Sequence, residues 1–258
     1  MLRSVGRIRT THAGALPRSE ELTDLVRTKA AGIAVDDDTF ATKLREEVAE
    51  AVKMQVACGI DSINDGEHGK SNFTYYCAER LSGFTDRPYV EGKSPQPLNI
   101  AARDIKQFRE YFAQGRGSFI TTGAPATQTF CVEPLKYVGQ AALQADLDNF
   151  RAALTGVDVE EAYLPANTPG TIEHWMYNDH YKSQEDFVFA IAECMREEYR
   201  AIVDAGFLLQ IDDPDLPDGW LMYPDMSVAD YRKYATMRIE ALNHALRDIP
   251  PEKVRLHV

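Results

Sequence analysis

The sequence predicts an α/β protein built on a parallel β-sheet, and three observations lead there. Short apolar runs alternate with amphipathic stretches of helical period along the chain, as right-handed βαβ units require. Two of the apolar runs end in clusters of amides and carboxylates, at Asn64-Asp65-Gly66-Glu67 and at Gln210-Ile211-Asp212-Asp213. Sites of parallel α/β folds are built just past such strand ends. Residues 207–211 are apolar apart from Gln210, the near-continuous run expected of a strand buried on both faces.

Taken in order, residues 5–16 are read as a first strand leading to a loop at Gly14 and Pro17. Ser19 then caps a helix beginning at Glu20, with Leu22, Leu25 and Val26 at helical spacing. Residues 38–57 form a second helix, in which Leu44, Val48, Val52 and Val56 recur every fourth residue and Gly59 supplies the stop. Residues 60–64 are a short strand. Residues 85–117, with Pro88, Pro95 and Pro97, are an irregular excursion holding a short helix near 101–112. Residues 119–128 and 130–132 have strand character, 141–154 are helical as far as Gly156, 159–164 are a strand and 165–170 a loop. Ser183 and Asp186 have capping-box spacing ahead of the stripe Phe187, Ile191, Met195 and Tyr199, and Gly206 closes that helix. A helix over 227–246 and a strand over 254–258 complete the chain.

An eight-stranded barrel takes about 250 residues, yet this chain of 258 spends an excursion outside the repeat and finishes on a strand. The expected fold is therefore a TIM-type (β/α)8 barrel, one domain over residues 1–258, with its last two β/α units missing from the chain. An open sheet leaves its outer strands unpaired, so a homo-oligomer or a complementing C-terminal fragment is an expected partner.

Apolar residues make up 44% of the chain and charged ones 26%, as in ordinary globular proteins. The formal charge of −12 makes nucleic acid a poor partner. Cys58, Cys77, Cys131 and Cys194 form no CxxC pair. The basic start (Arg3, Arg7, Arg9) has no apolar core of the kind a signal peptide needs, and no window approaches the roughly 18 apolar residues of a membrane span. The expectation is a cytoplasmic protein with reduced thiols, without membrane contact.

Within Asp65-Gly66-Glu67-His68, a carboxylate past a strand end either binds an ammonium group, acts as a base, or belongs to a solvated turn. Asp212 and Asp213 are strand neighbours and face opposite ways. Pro214 and Pro217 limit wrapping around calcium, so substrate binding fits this stretch better than a calcium loop. Trp175, next to His174, either stacks on a flat heterocycle or packs beneath a loop. His12 either binds an anion or satisfies a backbone carbonyl. GxGxxG, Walker, GxSxG and HExxH patterns are all missing, which removes support for the usual nucleotide and hydrolase readings.

Taken together, the motifs resemble the cobalamin-independent methionine synthase family. The run Thr10-Thr11-His12-Ala13-Gly14-Ala15-Leu16-Pro17 is similar to its N-terminal TT-x-x-GS-hydrophobic-P motif. Gly59 to Glu67, with Tyr76 and Gly83-Phe84, is similar to its GxD...GE...Y...GF segment. Gln210-Ile211-Asp212-Asp213-Pro214 resembles Q-I-D-E-P, and Arg255-Leu256-His257-Val258 the start of its H-x-C strand. The resemblance implies a zinc-containing barrel that transfers a methyl group from a folate methyl donor, a methyltetrahydrofolate, to a thiol such as homocysteine. It implies that Glu67 and Asp212 hold the amino group of the substrate, with His12 and Gly14 in a substrate-binding motif. It places Trp175 near the folate and makes His257 the first zinc ligand, the others falling beyond Val258. Ala15 stands where the family has a serine, Asp213 where it has a glutamate, and residues 67–72 fit the shorter single-barrel branch better. Two other readings stay open: a thiol alkyltransferase of the epoxide:coenzyme M transferase type, and a non-catalytic truncated barrel acting as a binding or assembly module.

Overall fold

A computed structural model describes residues 1–114 and 126–258 of the chain. Helix α1 (Glu20–Ala30) starts where Ser19 accepts the backbone N–H of Leu22, and α2 (Asp37–Ala57) where Asp36 accepts that of Thr39. Gly59 turns the chain out of α2 at a φ of 74°, a left-handed conformation that disfavours any residue with a β-carbon. Strand β1 (Ser62–Ile63), helix α3 (Tyr76–Arg80), strand β2 (Leu81–Pro88) and helices α4 (Ala102–Gln107) and α5 (Arg109–Ala113) follow. Next come β3 (Thr127–Tyr137), α6 (Gln140–Ala153), β4 (Glu161–Asn167), α7 (Pro169–Trp175) and β5 (Met176–Asn178). Helix α8 (Gln184–Asp204), capped by Ser183 on the Asp186 N–H, leads to β6 (Leu208–Asp212), α9 (Asp215–Met222), α10 (Val228–Ala245) and β7 (Val254–His257).

Strands β1, β4, β6 and β7 form a parallel sheet in that order, and Thr11 adds a single parallel bridge to Ser62. Leu164, Ala166, Leu209 and Ile211 belong to the apolar core, together with Val52 of α2, Phe150 of α6 and Ile191, Met195 and Tyr199 of α8. Strand alternation puts Tyr163, Pro165 and Asn167 on the other face, in register with Leu208, Gln210 and Asp212. Arg255 and His257 continue that face, opposite Gln210 and Asp212. The sheet curves enough for its outer strands to meet across this face. The Arg255 guanidinium donates to Ser62 Oγ at 2.9 Å and to Thr11 Oγ1 at 3.1 Å, and it lies 4.3 Å over the Tyr163 ring. Among the described residues β7 pairs only with β6. A second sheet, β2–β3–β5, joins β2 and β3 antiparallel and β3 and β5 parallel.

The parallel α/β architecture matches the expectation, as do the helices opened by Ser19 and Ser183. Several local expectations are corrected. Residues 5–16 form no strand beyond the Thr11 bridge, because the Thr10 N–H and hydroxyl turn to the Asp61 carboxylate instead of a neighbouring backbone. Residues 130–132 are in a strand, but in the second sheet, so they add nothing to the parallel one. The excursion at 85–117 opens inside β2, and its helix is two short pieces parted at Phe108 (φ −116°, ψ 47°). Residues 165–167 extend β4, and 169–175 form α7 with Pro169 in its first turn, so 165–170 is no loop. The expected strand at 119–128 lies mostly outside the described residues. No helix among the described residues is long and apolar enough to cross a membrane.

Candidate functional site

The parallel register of β6 and β7 sets Asp212 opposite His257. His257 Nδ1 lies 3.0 Å from Asp212 Oδ1, and Gln210 Nε2 donates to the same oxygen at 2.8 Å. Burial lifts the Asp212 carboxyl above its ordinary range, opposed by the His257 hydrogen bond and the charge of Lys70. Asp213 turns the other way, as alternation requires. It accepts the hydroxyls of Thr168 and Thr171 at 2.8 and 3.2 Å, at the start of α7.

Glu67 stands past the end of β1 on a backbone with φ 57°, directly after Gly66 at 72°. A non-glycine residue there is strained by about 1 kcal/mol, and its neighbours hold it in place. Asp65 Oδ1 accepts the Glu67 N–H at 3.0 Å, Arg18 donates to the Glu67 carbonyl at 2.8 Å, and the Leu16 N–H donates to the Gly66 carbonyl at 3.1 Å. One carboxylate oxygen, Oε2, lies 3.6 Å from Lys70 Nζ; the other is buried without a partner. Lys70 is itself buried, donates to the Pro165 carbonyl at 2.7 Å and sits 4.5 Å over the Tyr76 ring. Glu67 and Lys70 both act on the Asp212 carboxyl, so the ends of β1 and β6 share one electrostatic environment.

Behind this turn lies a buried ionic cluster. Arg80 pairs with Asp146 and, at 3.1 Å, with Glu198, and the Tyr137 hydroxyl donates to Glu198 at 2.8 Å. Burial, reinforced by the charge of Asp146, pushes the Asp65 carboxyl up to about 7.

Beside the β4 and β6 ends opens a cleft of about 590 Å³ with Phe73, Tyr75, Trp175 and Tyr177 among its walls and Asp215 and Asp218 at its edge. The Trp175 indole N–H donates to Asp215 Oδ2 at 3.3 Å. Burial, then the charge of Asp215, raises the Asp218 carboxyl. Aromatic walls with a few convergent acceptors suit a flat ring that carries N–H groups.

No family model matches the chain. Curated methionine synthases of Saccharolobus islandicus (strain L.S.2.15 / Lassen #1) and Thermococcus kodakarensis are each 24% identical to it, over 96% of this chain and 61% of theirs. Over nearly its whole length the chain is similar in sequence to these methionine synthases. It spans about three fifths of the length of these relatives. The fold agrees. A B12-independent methionine synthase from Shewanella sp. W3-18-1, solved in complex with selenomethionine, superposes with a TM-score of 0.67 at 18% identity, over 96% of this chain and 60% of that one. A putative vitamin-B12 independent methionine synthase from Listeria monocytogenes superposes with a TM-score of 0.63 at 17% identity, over 96% of this chain and 64% of that one.

Of the residues singled out in the sequence, Asp212 and His257 touch, and Glu67 lies within their electrostatic reach. His12 and Gly14 lie in the loop that leads to Leu16 and so to the Glu67 turn. The His12 carbonyl accepts the Tyr163 hydroxyl, and its Nε2 is buried without a partner. Trp175 stands apart from these, in the cleft, whose lining includes neither Glu67, Asp212 nor His257. Lys70, three residues past Glu67, and Tyr234 and Arg238, which reach α7 from α10, carried no local signal that would have singled them out.

The donors present do not make up a zinc site. Among the described residues no group of three His, Cys, Asp or Glu side chains is placed to hold a metal ion. Cys77 and Cys194 are buried, and burial pushes both thiols up to about 12, away from the thiolate form that zinc requires.

Proposed function

We propose that this chain carries substrate-binding parts of a methyltransferase that moves a methyl group from a methyltetrahydrofolate to a thiol such as homocysteine. The observation that supports it best is the convergence of Glu67 and Asp212. Two buried carboxylates share one buried cation, Lys70, and one Glu67 oxygen has no partner. Buried charge of this kind calls for a further cation, and an amino-acid ammonium supplies it. The relatives' name, methionine synthase, fits that choice.

In this reading the acceptor's ammonium lies between Glu67 and Asp212, its thiol end lies toward the more exposed His257, and the donor's ring stacks on Trp175. The thiol gives up its proton and its sulfur takes the methyl group. As the donor's carbon–nitrogen bond breaks, the nitrogen takes up a proton. The zinc implied by the motifs would take His257 as a ligand, and the described residues do not complete a site for it.

Calorimetric titration of the 258-residue chain with L-homocysteine and with its des-amino analogue 4-mercaptobutyrate tests the proposal. Homocysteine should bind more tightly, and Glu67→Gln should erase most of that preference, about a hundredfold for a charge-assisted contact. Equal binding of the two thiols would overturn the ammonium assignment. Preference for coenzyme M over both would favour the alkyltransferase reading.

A further inference from the structure

A polar chain, mostly buried from Glu173 onward, runs from the start of α8 to the aromatic cleft. Gln184 Nε2 donates to Glu173 Oε1 at 2.8 Å, and Glu173 Oε2 pairs with Arg238. The Arg238 guanidinium lies 3.4 Å over the Tyr234 ring, and the Tyr234 hydroxyl meets His174 Nε2. His174 Nδ1 lies 3.5 Å from Asp215 Oδ1, and Asp215 takes the Trp175 indole N–H through its other oxygen. Gly170 leaves room for this path, since a β-carbon there would sit 3.1 Å from Arg238 Cγ.

We propose that His174 is a positioning residue for the cleft, bridging Tyr234 and Asp215 so that Asp215 holds the Trp175 indole at a fixed height. The assignment rests on the reading above that a donor ring stacks on Trp175. A side chain that merely filled this space would serve as well as phenylalanine. Instead both ring nitrogens of a side chain only 1% exposed are set against partners on two different helices. Burying such nitrogens costs about 1–3 kcal/mol unless hydrogen bonds return it. Nδ1 makes no well-formed hydrogen bond, and the Trp175–Asp215 contact at 3.3 Å is long. The Asp215 carboxylate thus lies between the two rings, 3.5 Å from His174 Nδ1 and hydrogen-bonded to Trp175, and its placement depends on both.

The test uses a Trp220→Phe background, which leaves Trp175 as the sole tryptophan of the two in the chain; Trp220 packs under Arg103, away from the cleft lining. His174→Phe should shift the Trp175 emission maximum and weaken 5-methyltetrahydrofolate binding about tenfold, the equivalent of one hydrogen bond. His174→Asn, whose amide nitrogen reaches toward Asp215, should recover most of both changes. Should His174→Phe fail to fold, Tyr234→Phe removes the other end of the bridge and is read the same way. Unchanged emission and affinity in His174→Phe would overturn the proposal, as would a His174→Asn no closer to the parent than His174→Phe. Failure of the parent itself to bind 5-methyltetrahydrofolate would refute the donor reading, while the emission series would still decide the role of His174.

Discussion

The Glu67 turn and the Trp175 cleft stand at the same end of the parallel sheet but are supported in opposite ways. Behind Glu67, the carboxylates of Asp65, Asp146 and Glu198 join its own against three cations, Lys70, Arg80 and Arg18. Behind Trp175, Glu173 is matched by Arg238, and neutral groups carry the contact onward to His174. The first region is short of positive charge, so it can accept a proton or a cationic group. The second pairs Glu173 with Arg238 one to one and keeps its surplus carboxylates, Asp215 and Asp218, at the cleft, where Asp215 holds the Trp175 indole in place. A carboxylate oxygen left unpaired at a strained turn recognises charge, whereas a carboxylate tied to an aromatic N–H fixes a shape.

Removing each region's arginine should break this symmetry most visibly. Arg80→Met leaves Asp146 and Glu198 buried without their shared cation and should cost about 3–5 kcal/mol of stability. Arg238→Met should cost less, about 1–3 kcal/mol, because Glu173 keeps its bond from Gln184. Urea unfolding measures both, and equal losses would contradict the difference in charge balance.

A second test follows from Asp65. Its carboxyl stands at about 7 in the folded protein against 3.8 ordinarily. Between those values the folded state holds a proton that the unfolded chain has released, so stability is highest at the acid end and falls as pH rises through the window. Asp65→Asn should remove that fall, on the order of 1 kcal/mol per pH unit. A variant with the same pH slope as the parent would place the titration elsewhere. The smallest effect is expected of Gly66→Ala. Its backbone is left-handed, and a β-carbon there would approach His68 Nε2 to 3.0 Å, which should cost about 1 kcal/mol in thermal unfolding. Homocysteine affinity should fall with it if the turn sets the Glu67 position.

The sequence made some of this legible because the signals are local. Ser19 and Ser183 announce helix starts through side-chain oxygens that bond three residues ahead, and strand-end carboxylates mark Asp212 and Glu67. Other features depend on pairing partners, which local patterns do not encode. Residues 130–132 are apolar as in any buried strand, and only the antiparallel partner β2 puts them in a second sheet. Helix α9 had no signal in the sequence, where Pro214 and Pro217 bore only on calcium; they fall at its cap and first turn, where a missing N–H breaks no bond. The cleft was half legible. Trp175 was a candidate, but its support comes from Tyr234 and Arg238, some 60 residues away.

Arg255 also bears on the order in which the molecule can assemble. Its guanidinium ties the last strand to Thr11, a residue 244 positions earlier. Contacts closing so long a loop form slowly, after shorter-range ones have repaid part of the entropy. The strands β1, β4 and β6 can therefore pair while the sheet is still shallow, and its final curvature is fixed late, when the two extremes of the chain meet above Tyr163.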